Sequence, residues 1–218
     1  MYDIILFDLD GTLTDPKPGI TKCVQYALGK MGIVEEDLDK LVSFIGPPLV
    51  TSFREFYNMS DDEANLALQY YRERFSTVGL YENAVYAGMN ELLEKLQKQS
   101  KIMFVATSKP TIFSIKILEH FGLLHFFKAV IGSELDGSRV EKNEVIQYAL
   151  SQIAERDPRK IVMVGDRKFD ILGAQDNGID VIGVSYGYGS YEELQQAKPN
   201  YIVETVSELG AILGQQPV

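Results

Sequence analysis

The sequence predicts an α/β protein: a doubly wound, Rossmann-like parallel sheet with a small α-helical domain inserted after the first strand. Three observations lead there. The chain enters at once on an apolar, β-prone run, Ile4-Ile5-Leu6-Phe7. The next convincing run of that kind, Ile102 to Ala106, lies roughly ninety residues on, far more chain than a single parallel crossover needs. From Val85 onward, apolar helical stripes and short apolar runs alternate, as they must when helices cover both faces of a sheet.

The inserted segment reads as helical throughout. Ile20, Cys23, Val24, Ala27, Leu28 and Met31 recur at helix spacing, and Leu38, Leu41, Val42 and Ile45 predict a second helix that Gly46-Pro47-Pro48 breaks. Ser60 and Glu63 stand three apart as a capping box ahead of the stripe Ala64, Ala67, Leu68, Tyr71 and Phe75. These bounds give a helical domain over residues 15–82 and a sheet core of 1–14 with 83–218. Within the core, Met89, Leu92, Leu93 and Leu96 predict a helix before the strand at Ile102 to Ala106, and Ile112, Ile115 and Leu118 predict the helix after it, stopping at Gly122. Further strands are expected at 129–131, 161–164, 181–184 and 201–203, with a helix carrying Val145, Ile146, Ala149, Leu150 and Ile153.

A chain of 218 residues that is 45% hydrophobic can bury a substantial core. Its net charge of −10 disfavours nucleic acid and anionic membrane surfaces as partners, since most of the surface would meet like charge. The single cysteine, Cys23, excludes an internal disulfide and any multi-cysteine metal site. With no basic and apolar leader and no apolar run of membrane-spanning length, the expectation is a cytoplasmic protein, monomeric by default with a dimer open, that acts on a small molecule.

Open parallel sheets bind ligands beyond the carboxyl ends of their strands, so the residues following each apolar run carry the chemistry. Asp8 and Asp10 follow the first run, and side chains two apart on extended backbone point the same way. Gly11 turns the chain there, and Thr12 can hydrogen-bond within the turn. Thr107, Ser108 and Lys109 follow the second run; Gly165, Asp166, Arg167, Lys168 and Asp170 follow the run at 161–164. Lys142 opens a helix. Taken singly, each has a bland reading: an Asp-Gly turn, a strand-end cap, helix-start acids favouring the macrodipole, a solvated lysine. Their recurrence at one edge separates them from that background.

Four such features in this order resemble the haloacid-dehalogenase superfamily of phosphohydrolases. D-L-D-G-T at Asp8 to Thr12 is similar to its first motif, Thr107 in V-A-T-S-K to the second, Lys142 to the third and G-D-R-K-F-D at 165–170 to the fourth. The helical insertion resembles the family's α-helical cap. Ile45-Gly46-Pro47-Pro48-Leu49 and G-V-S-Y-G-Y-G at 183–189 are similar to the phosphoglycolate-phosphatase and bacterial 5′-nucleotidase branches.

The resemblance implies hydrolysis of a small phosphomonoester, and phosphoryl transfer makes sense of the residues. It needs an in-line nucleophile and positive charge on the equatorial oxygens. Asp8 is expected to attack and form an aspartyl-phosphate, and Asp10 to protonate the leaving alkoxide and then take a proton from water. Acids facing a phosphate require a hard cation; Mg2+ is expected, held by Asp8, the backbone carbonyl of Asp10, Asp166 and Asp170, the last directly, through water or by orienting Lys142. Thr107 and Lys142 are expected to bind the phosphoryl group by family position, with Thr12 and Ser108 as lesser donors. Phosphoglycolate and a nucleoside monophosphate are the expected substrates.

Other residues fit blander roles. Cys23 lies on a helical stripe with Gly29 where a cysteine phosphatase needs arginine, so it reads as core. His120 and His125 read as surface, and Lys109, Arg167 and Lys168 as exposed charge or a positive rim. A sugar-phosphate mutase on the same scaffold is the nearest alternative. A receiver-like, phosphorylation-controlled binding module is the alternative of another class, against which Asp10 and the large insertion argue.

Overall fold

A computed structural model describes residues 2–153 and 157–214. The chain divides into two units, Pro16–Ala84 and the remainder, Met1–Asp15 with Val85–Val218. In chain order the regular elements are β1 (Ile4–Phe7), β2 (Thr14–Asp15), α1 (Lys17–Lys30), α2 (Leu49–Tyr57), α3 (Asp61–Phe75), β3 (Ala84–Val85), α4 (Met89–Lys98), β4 (Ile102–Pro110), α5 (Thr111–His120), β5 (Ala129–Ser133), α6 (Lys142–Ser151), β6 (Ile161–Gly165), α7 (Lys168–Asp176), β7 (Asp180–Val184), α8 (Tyr191–Ala197), β8 (Tyr201–Val203) and α9 (Val206–Leu213).

Six strands form one parallel sheet in the order β5-β4-β1-β6-β7-β8, while β2 and β3 form a separate two-stranded ribbon. Among the sheet strands taken in sequence this is the order 3-2-1-4-5-6, the doubly wound arrangement, and β1 and β6 flank its switch point. The six expected strands are all present. Because side chains alternate, Leu6, Phe104 and Met163 share one face with Val145 and Ile146 of α6, Ile171 of α7 and Leu194 of α8. The alternate residues Ile5, Phe7, Met103, Val105, Val162 and Val164 are buried too, so both faces are covered, and Phe7 meets Phe127 edge-on at 6.2 Å.

Three expectations need correction. The strand expected to end at Ala106 continues to Pro110, with a shift of register against β5 between those residues. In α5 the buried residues are Phe113, Ser114, Ile117 and Leu118 while Ile112 is exposed, because a helix apolar on several sides leaves more than one candidate stripe. The segment Leu38–Phe44 is a 3-10 helix, whose three-residue period brings Leu38, Leu41 and Phe44 to one side.

In the helical unit Pro48 stands just before α2, so the Pro-Pro step that reads as a break also begins a helix. Phe44 packs on Phe53 and Phe56 at 5.0 and 5.3 Å, α1 packs on α3, and the Ser60–Glu63 capping box forms as expected. Cys23 is fully buried and its Sγ accepts from Arg74. Among the described residues no helix is long and apolar enough to cross a membrane.

Candidate active site

At the end of β1 the Asp8 N–H donates to the Val164 carbonyl at 2.9 Å, prolonging the ladder with β6 by one residue. The chain then turns tightly: Leu13 and Thr14 both donate to the Leu9 carbonyl, and Gly11 donates to Thr14 while holding a φ of +79°. Asp8 is thereby fixed on rigid sheet and Asp10 on a short turn.

Lys142, the first residue of α6, reaches back under this edge. Its ammonium is 2.8 Å from Asp8 Oδ1 and 2.8 Å from Asp170 Oδ1, and donates to the Ala106 carbonyl at 3.2 Å. Burial opposes its charge, yet the two carboxylates, Asp170 and Asp8, hold its pKa above that of an ordinary lysine. Asp166 follows β6 and accepts from the Tyr188 N–H at 2.7 Å. Asp170 lies on the first turn of α7 and accepts from the Arg167 N–H at 3.1 Å.

Asp8, Asp166 and Asp170 are buried, each offering a carboxylate oxygen within 4.8 Å of the others. Burial, reinforced by Asp170 and Asp8, drives the Asp166 carboxyl well above the usual carboxylate range. Burial also pushes Asp170 up to about 6 against the pull of Lys142. With all three carboxyls ionised, the one ammonium would leave two negative charges uncompensated where little water reaches, which is why burial holds protons on Asp166 and Asp170. A divalent metal ion fits that donor set and that charge, and these residues could hold one.

Asp10 belongs to a second pair. Its Oδ2 is 2.6 Å from the Lys109 ammonium, whose side chain is only 6% exposed. Asp10 Oδ1 is buried with no hydrogen-bond partner among the described residues, and burial outweighs Lys109 in raising the carboxyl's pKa. Thr107 is buried on β4, where its Oγ1 accepts from the Lys109 N–H at 3.3 Å and its own proton remains to donate elsewhere. Ser108 is half-buried, its carbonyl tied to the Ser133 hydroxyl at 2.8 Å. Thr12 is buried, with no hydrogen-bond partner for Oγ1 among the described residues.

The structure thus gathers Asp8, Asp166, Asp170 and Lys142 in one cluster, with Asp10 beside it and its carboxylate outside the metal-ligating group. Sequence reasoning misread Lys109 as exposed. The spacing of two from Thr107 is no dependable signal for it, because the register shifts between Ala106 and Pro110. Arg167 supplies no free rim, since its guanidinium engages Glu193 at 2.9 Å; Lys168 is exposed as expected, and only its backbone N–H meets that carboxylate, at 2.9 Å. The segment 186–188 was also missed as part of the site. Tyr186 donates to the Thr12 carbonyl at 3.0 Å, Tyr188 hydroxyl donates to Asp15, and Tyr86 packs on Tyr186 at 4.9 Å. A Cβ at Gly187 would lie 2.3 Å from the Gly11 carbonyl oxygen and 2.4 Å from Asp166 Cβ, so glycine there permits the close approach. His120 and His125 are exposed.

Residues 5–184 match the model of the family described as haloacid dehalogenase-like hydrolase. The chain is 47% identical over 215 residues to a 5′-nucleotidase of Pseudomonas aeruginosa, covering 97% of this chain and 96% of that protein. It is 29% identical over 217 residues to a phosphoglycolate phosphatase of Vibrio parahaemolyticus, covering 94% and 93%. The crystal structure of a predicted phosphatase from Clostridium acetobutylicum superposes with a TM-score of 0.94 at 49% identity, covering 99% of this chain and all of that one. With these relatives and this cluster at its sheet edge, the chain belongs to the haloacid dehalogenase-like hydrolases and is a phosphatase acting on phosphomonoesters.

Proposed function

We propose that the chain is a magnesium-dependent phosphatase that works through an aspartyl-phosphate on Asp8, with a small phosphomonoester as substrate. The observation that carries the reading is the convergence of Asp8, Asp166 and Asp170 within 4.8 Å of one another, with Lys142 between two of them. An Asp8 carboxylate oxygen attacks phosphorus and the bond to the leaving oxygen breaks. Asp10 gives its proton to the departing alkoxide, then removes one from the water that attacks the phospho-enzyme; phosphate leaves and free Asp8 returns. Lys142 neutralises charge on the transferring group, and Thr107, helped by Ser108 and Thr12, donates to its oxygens.

Asp8, Asp166, Asp170 and the Asp10 backbone carbonyl would hold Mg2+, which when bound supplies the countercharge that lets an anionic phosphate meet four acids. The helical insertion is read as the cap domain of this phosphatase. A nucleoside monophosphate is the substrate class best supported by the 47% identical relative, with phosphoglycolate next, and the cytoplasm fits the cysteine content. A panel of nucleoside monophosphates, phosphoglycolate and sugar phosphates, assayed with magnesium and with chelator, tests this. Release of phosphate that chelator stops supports it; no turnover of any phosphomonoester, or turnover indifferent to chelator, defeats it.

A further inference from the structure

We propose that Lys109 is a positioning residue for the phosphatase reaction: it clamps one carboxylate oxygen of Asp10 so that the other faces the leaving group. The inference rests on the reading of Asp10 as the proton donor. Its starting point is an asymmetry in that carboxylate. Oδ2 lies 2.6 Å from the Lys109 ammonium, while Oδ1 is buried with no hydrogen-bond partner among the described residues. A buried polar atom left in that state costs stability unless a ligand completes it. The arrangement suits a proton donor, which needs one oxygen oriented and the other available.

The backbone that carries Lys109 is held with unusual thoroughness for a strand end. The Lys109 N–H donates to Thr107 Oγ1 at 3.3 Å, and the Ser133 hydroxyl holds the neighbouring Ser108 carbonyl at 2.8 Å. Thr111 Oγ1 donates to the Ser133 carbonyl at 3.3 Å and accepts from the Gly132 N–H at 3.1 Å. The Lys109 carbonyl comes so near Gly132 that a Cβ there would lie 2.2 Å from it. These ties fall within the register shift between Ala106 and Pro110, which lets the side chain turn inward instead of ending as a solvated strand-tip charge. Only 6% of the side chain is exposed, and its ammonium ends against Asp10. A lysine serving as a general phosphate attractor would need none of this, since Lys142 already meets the nucleophile.

A leaving-group series separates this role from phosphate binding. Over aryl phosphates from p-nitrophenyl phosphate to phenyl phosphate, kcat/KM reports phosphoryl transfer to the enzyme, and proton donation matters more as the leaving group worsens. Lys109→Met should lower kcat/KM for phenyl phosphate about tenfold more than for p-nitrophenyl phosphate, as Asp10→Asn should. Lys109→Arg, which keeps a cation, should restore much of the difference, and the double variant should be no worse than Asp10→Asn alone. Equal losses on both substrates in Lys109→Met, with a steep dependence in Asp10→Asn, overturn the clamp and leave the acid assignment standing. A flat dependence in Asp10→Asn overturns the acid assignment and the clamp with it. If Lys109→Met does not fold, Lys109→Gln carries the same comparison, with melting temperature confirming its fold.

Discussion

The backbone N–H of Tyr188 donates to Oδ2 of Asp166 at 2.7 Å, so a loop that carries no acid of its own orients one of the three clustered carboxylates. Gly187 is what lets that loop lie against Asp166. Gly187→Ala should therefore weaken Mg2+ binding about tenfold, measured by titration calorimetry, since removing support from behind a metal ligand commonly costs that much or more. Unchanged affinity would mean that the loop adapts and does not orient Asp166.

Gly29→Ala is the matching control. Gly29 is exposed on α1 and a Cβ there would touch nothing within 4 Å. Alanine at a compatible helical position should raise stability by about 0.5 kcal/mol and leave turnover unchanged. Denaturant titration checks it; destabilisation would contradict the helical assignment at that position.

Asp166→Asn should separate stability from function. With three buried carboxyls facing one ammonium, Asp166→Asn should stabilise the metal-free protein by about 1–2 kcal/mol at a pH high enough to ionise all three, the gain fading as pH falls and Asp166 takes up its proton, while abolishing stabilisation by Mg2+. Lys142→Met acts in the opposite direction: it leaves Asp8 and Asp170 without their shared cation and should cost about 3–5 kcal/mol in metal-free protein. Thermal melts with chelator read both, and a shift of the same sign in the two variants would contradict the charge account.

The pH dependence follows from the same carboxyls. Asp170 is pushed up to about 6 and Asp166 well above its ordinary 3.8, both chiefly by burial. A native carboxyl that holds its proton more tightly than the unfolded chain stabilises the fold most at low pH, and that contribution is lost as pH rises through the native pKa. Metal-free protein should thus lose stability from about pH 4 to beyond about pH 6, and because Mg2+ requires the ionised groups, its stabilising increment should grow over that range. Calorimetry with magnesium and with chelator measures the increment. An increment that stays constant with pH would contradict the assignment of these groups as ligands.

The sheet was legible because parallel strands buried on both faces leave continuous apolar runs, and because Asp8, Asp166 and Asp170 fall immediately after such runs or one turn into the next helix. The 3-10 helix at Leu38–Phe44 escaped because its period of three overlaps the spacing of an α-helix over so short a stretch. Lys109 escaped for a different reason. Its inward turn depends on a register shift and on Gly132 in the neighbouring strand, and neither long-range fact is written in the local pattern around Thr107. Tyr188 acts on Asp166 through its backbone, which no side-chain motif reports.

The account turns on Asp8 as the group that receives the phosphoryl moiety. Rapid acid quench during turnover of a phosphomonoester with magnesium, followed by peptide mapping by mass spectrometry, examines it directly. The predicted result is a hydroxylamine-labile phosphoryl adduct on Asp8 that forms and decays within one turnover and is absent from Asp8→Asn, whose turnover should fall by about a thousandfold or more. Full activity in Asp8→Asn, or an adduct on any other residue, would contradict it.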